Sequence, residues 1–122
     1  MPATLLDIDD KTGAARSPDP SIVRSGDPRS TLWNGVDVGT GTLLCGQWIG
    51  QPGEMEVRPR VHHEMFTVVS GRIELIEADG TVTRVGPGQA GFIPKGWTGV
   101  WRTVEETRKT YMLLKSVPGE DA

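Results

Sequence analysis

The 122-residue sequence holds a single cysteine, two histidines and one tyrosine, and no window of it is a long apolar run. Cys45 has no partner for an internal disulfide, which fits a reducing, cytoplasmic setting. Nothing approaches the roughly 18 to 20 consecutive apolar residues that a membrane-spanning helix needs. The start, Met1-Pro2-Ala3-Thr4-Leu5-Leu6-Asp7, lacks a basic segment followed by an apolar core, so no export signal and no membrane attachment are expected. Positive charge is also scarce: 13 Lys and Arg stand against 16 Asp and Glu, a net charge of -3. With no basic stretch interleaved with aromatics, nucleic acid is not an expected partner.

What the sequence does have is turn formers. Sixteen glycines and nine prolines punctuate a chain that is 36% hydrophobic, and no segment keeps the 3.6-residue period for three turns. Short strands at regular spacing follow instead, as in a sandwich or small barrel. Residues 1–29, broken by Pro18, Pro20 and Pro28, read as an N-terminal arm, with Asp7 to Lys11 able to start a short helical turn. Ile22 and Val23 are its docking residues, and a partner subunit is one surface for them. Residues 30–117 read as the barrel, and residues 118–122 as a flexible tail.

Strands are expected at Ser30 to Trp33, Thr42 to Ile49, Met55 to Val61, His62 to Val69, Arg72 to Glu77, Thr81 to Val85, Ala90 to Ile93, Trp97 to Val104 and Arg108 to Lys115. Asp79-Gly80 marks a hairpin, and Gly71 and Glu105-Glu106-Thr107 are read as breaks between strands. The spaced glycines 35, 39 and 41 lack a strand-to-helix context and a following Lys-Ser/Thr, so they form a hairpin link and not a phosphate loop.

The chemistry concentrates at Val61-His62-His63-Glu64. At period two, His62, Glu64, Phe66 and Val68 share one face, and Arg58 and Arg60 approach on the same parity if Pro59 introduces no bulge. Glu64 and His62 are therefore the candidate proton-transfer pair. They are also the candidate ligands of a divalent Mn, Fe, Ni or Zn ion, although a third ligand is normally required. Against both readings stands a plain polar pair, or Glu64 tied to an arginine such as Arg72 or Arg102. Arg58 and Arg60 could clamp a carboxylate or form a solvated strand face. Trp48, Phe92 and Trp97 are candidate ligand-stacking residues, whereas Trp101 is expected in the core. Lys95 solvates a loop, Cys45 packs as a small apolar residue, and Arg108-Lys109 pairs with acidic neighbours.

From about Trp48 to Leu114 the sequence resembles the cupin superfamily of small jelly-roll barrels, most closely its ureidoglycine-aminohydrolase-like branch. The matching pieces are Trp48 with Pro52-Gly53, Glu64 followed by Gly71-Arg72, Asp79-Gly80, and Gly86-Pro87-Gly88. Phe92 to Gly96, Gly99-Val100-Trp101 and Thr107 to Tyr111 complete the series. The resemblance implies an all-β, cupin-type jelly-roll barrel, a homodimer, and a small polar ligand of carboxylate or ureido type, handled by a hydrolase, lyase or isomerase or simply bound. In metal-binding cupins the histidine ligands would fall at or beside Arg58 and Arg60 and at Gly99. Only Glu64 remains of that set.

Overall fold

The computed structural model describes residues 1–6 and 13–120. The short helical turn expected at Asp7 to Lys11 lies outside them. Among the described residues the chain is all-β apart from a single 3-10 turn at Pro20–Ile22. The strands are β1 (Ala14–Arg16), β2 (Val23–Gly26), β3 (Ser30–Val38), β4 (Leu43–Gly50), β5 (Gly53–Val57), β6 (His63–Ile76), β7 (Val82–Val85), β8 (Ala90–Ile93) and β9 (Gly99–Leu114). No helix among the described residues is long and apolar enough to cross a membrane.

Two long antiparallel strands, β6 and β9, pair along nearly their whole length and form the spine. Each shares its other edge between two shorter strands. In one half, β9 pairs β4 and β6 pairs β8. In the other half, β9 pairs β5 and β6 pairs β7. The spine must therefore bend from one half to the other, and it does so where the sequence had suggested chain breaks.

Gly71 and Glu105-Glu106-Thr107 are corners inside continuous strands and not connections between separate ones. The β6–β9 register slips between Val68 and Ile73, as bulges permit where a strand turns a corner. Gly71 has φ 89°, and a Cβ there would lie 2.3 Å from Thr107 Oγ1. Thr107 is fully buried. It accepts a hydrogen bond from the Arg72 N–H at 3.0 Å and is 2.8 Å from the Glu105 carbonyl, to which its hydroxyl can donate. A polar side chain thus satisfies backbone groups that the slipped register leaves unpaired.

The strand parity read from the sequence holds along the first part of β6, up to Val68, and reverses past the corner, where Ile73 and Leu75 are buried. Glu64, Phe66 and Val68 are buried, whereas Met65 and Val69 are half exposed. Phe66, Val68, Ile73, Leu75, Ile93 and Trp101 belong to the apolar core between the halves. The Asp79-Gly80 hairpin is present, with the Glu77 N–H bonded to the Thr81 carbonyl at 2.8 Å.

The proline-broken segment before Ser30 does not stand apart. β1 pairs with β3, and β2 pairs with β5, both within the same chain. Asp19 accepts a hydrogen bond from the Ser21 N–H at 2.9 Å and caps the 3-10 turn. That turn carries Ile22 against the interior cavity. At the other end, Glu120 reaches His63 at 2.6 Å, so the described part of the C-terminal segment is tied back to the barrel.

Candidate functional site

A cavity of about 620 Å³ lies between the two halves, a size typical of small-molecule sites. Leu32, Leu44, Met55, Val57 and Leu113 give it an apolar wall, while Arg16, Arg58, Arg60, His62, Glu64 and Lys109 bring charge and hydrogen-bonding capacity. The candidates Arg58, Arg60, His62, Glu64 and Trp48 therefore converge on one space. They come from different local structures: β4 supplies Trp48, β6 supplies Glu64, and the connection after β5 supplies both arginines and His62.

Glu64 is almost fully buried, and cations hold both its carboxylate oxygens. Lys109 Nζ lies 2.6 Å from Oε2, and Arg60 Nη2 donates to Oε1. The arginine partners expected for it, Arg72 or Arg102, are not the ones used: Arg102 reaches Glu74 at 3.1 Å instead. Lys109 stands opposite Val68 in the ladder, so its side chain runs along the inner face past Phe66 to meet Glu64. On the way its ammonium sits 4.3 Å from the Trp101 ring centroid, 4.7 Å from Trp48 and 4.8 Å from Phe66. Ring quadrupoles and the carboxylate offset part of the cost of burying this charge. Burial nevertheless pulls the Lys109 pKa below its ordinary value, with Glu64 opposing that shift.

Arg60 carries a second signal. Its Nε is buried and, among the described residues, has no hydrogen-bond partner. A buried, unsatisfied guanidinium N–H costs about 1–3 kcal/mol, so a ligand acceptor there would be rewarded. The backbone of Arg60 is pinned by the loop at residues 94–97: its N–H donates to the Trp97 carbonyl at 3.2 Å, and its carbonyl accepts from Gly96 at 2.8 Å. Arg58 is exposed at the mouth. Glu56, the other carboxylate facing the cavity, is engaged by Arg24 at 3.1 Å.

His62 lies in the bend just before β6, with Nε2 2.9 Å from the Gly41 carbonyl. A carbonyl only accepts, so Nε2 carries a proton and donates it there. Tyr111 lines the same cavity and donates to Asn34 Oδ1. Burial pushes its hydroxyl pKa up to about 12. Gly46 opposite makes room for it, since a Cβ there would fall 2.6 Å from the Tyr111 oxygen.

Two of the expected stacking residues lie elsewhere. Phe92 is 62% exposed and stacks on His63 across the outer surface, at 5.9 Å between centroids. Its odd parity relative to the buried Ile93 places it there. Trp97 donates its indole N–H to the Glu77 carboxylate at about 3.0 Å and packs over Gly99. It acts on the cavity only through the loop that fixes Arg60. Trp101 is buried as expected and also reaches the cavity. Lys109 pairs with an acidic residue as read from the sequence, but its place in the cavity was not foreseen. An alternating strand that carries lysine among Thr107, Tyr111 and Leu113 on the buried parity is the signal that could have found it.

Among the described residues no group of three or more His, Cys, Asp or Glu side chains is arranged to hold a metal ion. A divalent ion at Glu64 would have to displace Lys109 or Arg60, and His62 is turned to a backbone carbonyl. The donor set around Glu64 suits a cation-paired carboxylate and not a metal centre.

Comparison with known proteins agrees with this architecture. A search of curated proteins found none that matches the chain. Among solved structures, a DUF861-family protein of unknown function from Pseudomonas syringae is 30% identical, with a TM-score of 0.75 over 84% of this chain and 43% of that one. The EutQ protein of Clostridium difficile is 20% identical, with a TM-score of 0.61 over 73% of this chain and 64% of that one. EutQ from Salmonella typhimurium, described as a putative ethanolamine utilization protein, is 16% identical, with a TM-score of 0.64 over 87% and 96%. This chain thus spans less than half of the Pseudomonas protein and under two thirds of the Clostridium one. The model of the EutQ-like cupin domain matches residues 39–111, from the turn before β4 into the buried stretch of β9 that carries Lys109 and Tyr111. The chain belongs to the EutQ-like cupin family.

Proposed function

We propose that the cavity binds a small polar metabolite of carboxylate or ureido type without a metal ion. The observation that carries this reading is the excess of cations facing the cavity. Arg16, Arg58, Arg60 and Lys109 stand against Glu56 and Glu64, and Arg60 keeps a buried N–H without a partner among the described residues. A carboxylate placed at Arg60 gains charge-assisted hydrogen bonds, while the apolar wall takes the carbon skeleton. The resemblance to the ureidoglycine-aminohydrolase-like branch supports a ureido group as part of such a ligand, since its carbonyl accepts from the same donors.

Calorimetric titration of the full chain with lactate, succinate and N-carbamoylglycine tests this. Saturable binding of at least one is expected, and no heat from any of them would overturn the reading. In the catalytic version Glu64 and His62 transfer protons. In the second version the barrel binds without turnover, which the contact of His62 Nε2 with the Gly41 carbonyl favours because it turns that nitrogen away from a ligand. Turnover of a bound ligand that is lost in His62→Asn separates the two.

The reading includes a cytoplasmic protein, supported by the lone Cys45. It also includes a homodimer, supported by a half-exposed apolar row in which Phe92, Met65 and Met112 stand side by side across β8, β6 and β9. Sedimentation at micromolar concentration giving a monomer would remove the dimer.

A further inference from the structure

We propose that Lys109 is a carbonyl-trapping residue: the cavity takes a small 2-oxo acid, whose carboxylate Arg60 holds and whose carbonyl carbon forms an imine with Lys109 Nζ. This rests on the anion-binding reading above and names the substrate class within it.

Three features of the site point to this chemistry. The amine is enclosed: Lys109 is 5% exposed, lines the cavity, and has three aromatic rings within 5 Å of its nitrogen. Desolvation weakens the hold of a lysine on its extra proton, against the opposing pull of the ring faces and of Glu64. A proton acceptor is in place, because Glu64 Oε2 is 2.6 Å from Nζ. An anion clamp shares the same carboxylate, since Arg60 is bonded to the other Glu64 oxygen. Amine and guanidinium thus flank one carboxyl group and line the same cavity.

The Lys109 ammonium passes one proton to Glu64, and the neutral amine attacks the carbonyl carbon to form the C–N bond. The carbonyl oxygen takes a proton from the attacking nitrogen and becomes a hydroxyl. The Glu64 carboxylic acid returns its proton to that hydroxyl, which leaves as water while the nitrogen lone pair forms the C=N bond and keeps its last proton. The net change is ammonium plus ketone giving protonated imine plus water, with Glu64 restored as carboxylate and no oxidant or reductant. In the imine the nitrogen withdraws electrons from the adjacent carbon, which prepares the ligand for loss or gain of a proton there. Neither His62 nor Tyr111 is needed for the trapping itself.

The test uses the full chain with pyruvate and 2-oxoglutarate in the presence of cyanoborohydride, followed by intact mass and peptide mapping. One adduct per chain is expected, on the peptide containing Lys109, with labelling at least about tenfold above Lys95 and Lys115, which lie outside the cavity and serve as internal reference amines. Calorimetry with the same acids runs alongside, without reductant. Binding without a Lys109 adduct overturns the imine and leaves the anion reading intact. Absence of both binding and adduct overturns the two together. Equal labelling of Lys95 or Lys115 also rejects the proposal. Because the site is mapped in the unaltered chain, the result does not depend on whether Lys109→Met folds.

Discussion

The Lys109 ammonium and the Glu64 carboxylate meet at 2.6 Å inside the barrel, with side chains only 6% and 4% exposed. They come from adjacent strands but not from opposing positions, since Glu64 faces Leu113 and Lys109 faces Val68. The long lysine side chain closes that offset, and the aromatic rings it passes make the route tolerable for a charge.

Removing one partner from this pair strands the other. Lys109→Met leaves a buried Glu64 with Arg60 alone, and a loss of about 3–5 kcal/mol is expected. Combining it with Glu64→Gln removes the orphaned charge, so the double variant should recover part of the loss. Urea unfolding of the two singles and the double gives the coupling, and strict additivity would show that the pair is not energetically linked.

Arg60 is the expected determinant of ligand affinity. Replacing it by Met removes the guanidinium hydrogen bonds, each worth about 1.5–3 kcal/mol to a charged acceptor. Binding of a small carboxylate should therefore weaken roughly ten- to hundredfold. Arg102→Met, on the outer surface where Arg102 pairs with Glu74, is the control and should leave affinity unchanged. Equal effects of the two variants would remove Arg60 from the site.

Tyr111 is the only tyrosine in the chain, so its titration can be read directly by ultraviolet difference absorbance. The ordinary phenol value is 10.0, and burial raises it to about 12. In the unfolded chain the hydroxyl ionises near 10, so between 10 and 12 the folded state binds the proton that the unfolded state has released. Its stabilising contribution is complete below pH 10 and is lost as pH rises toward 12. A midpoint near 10 in the folded protein would show that the hydroxyl is solvated and not buried beside Asn34.

The corner of the spine makes a separate prediction. Gly71→Ala forces a side chain into a backbone with φ 89° and to within 2.4 Å of the Glu106 carbonyl oxygen. A loss of about 1–3 kcal/mol is expected. Gly80→Ala also meets a positive φ but finds no atom within 4 Å. Thermal unfolding should therefore show the first variant as the more destabilised, and the reverse order would contradict the corner.

How far the sequence revealed this molecule depends on the range of each interaction. Alternation along β6 was readable because it is local, and it placed Glu64, Phe66 and Val68 inward. Asp79-Gly80 was readable because turn chemistry is local too. The continuity of β6 through Gly71 was not, because a glycine at a barrel corner and a glycine in a hairpin look alike until the partner strand is known. Lys109 was missed as a cavity residue for the same reason: its contact with Glu64 spans 45 positions and depends on the β6–β9 register. Phe92 and Trp97 were assigned to the cavity by residue type, but the parity of β8 and the Glu77 carboxylate direct them elsewhere.

In the proposed binding mode fixed cations, and not a metal ion, supply the positive charge of the cavity. Calorimetric titration of a carboxylate that the protein binds, before and after exhaustive chelation and again with added Mn²⁺ or Zn²⁺, tests it most directly. The same affinity is expected in all conditions. Binding that disappears on chelation and returns with the metal would contradict it.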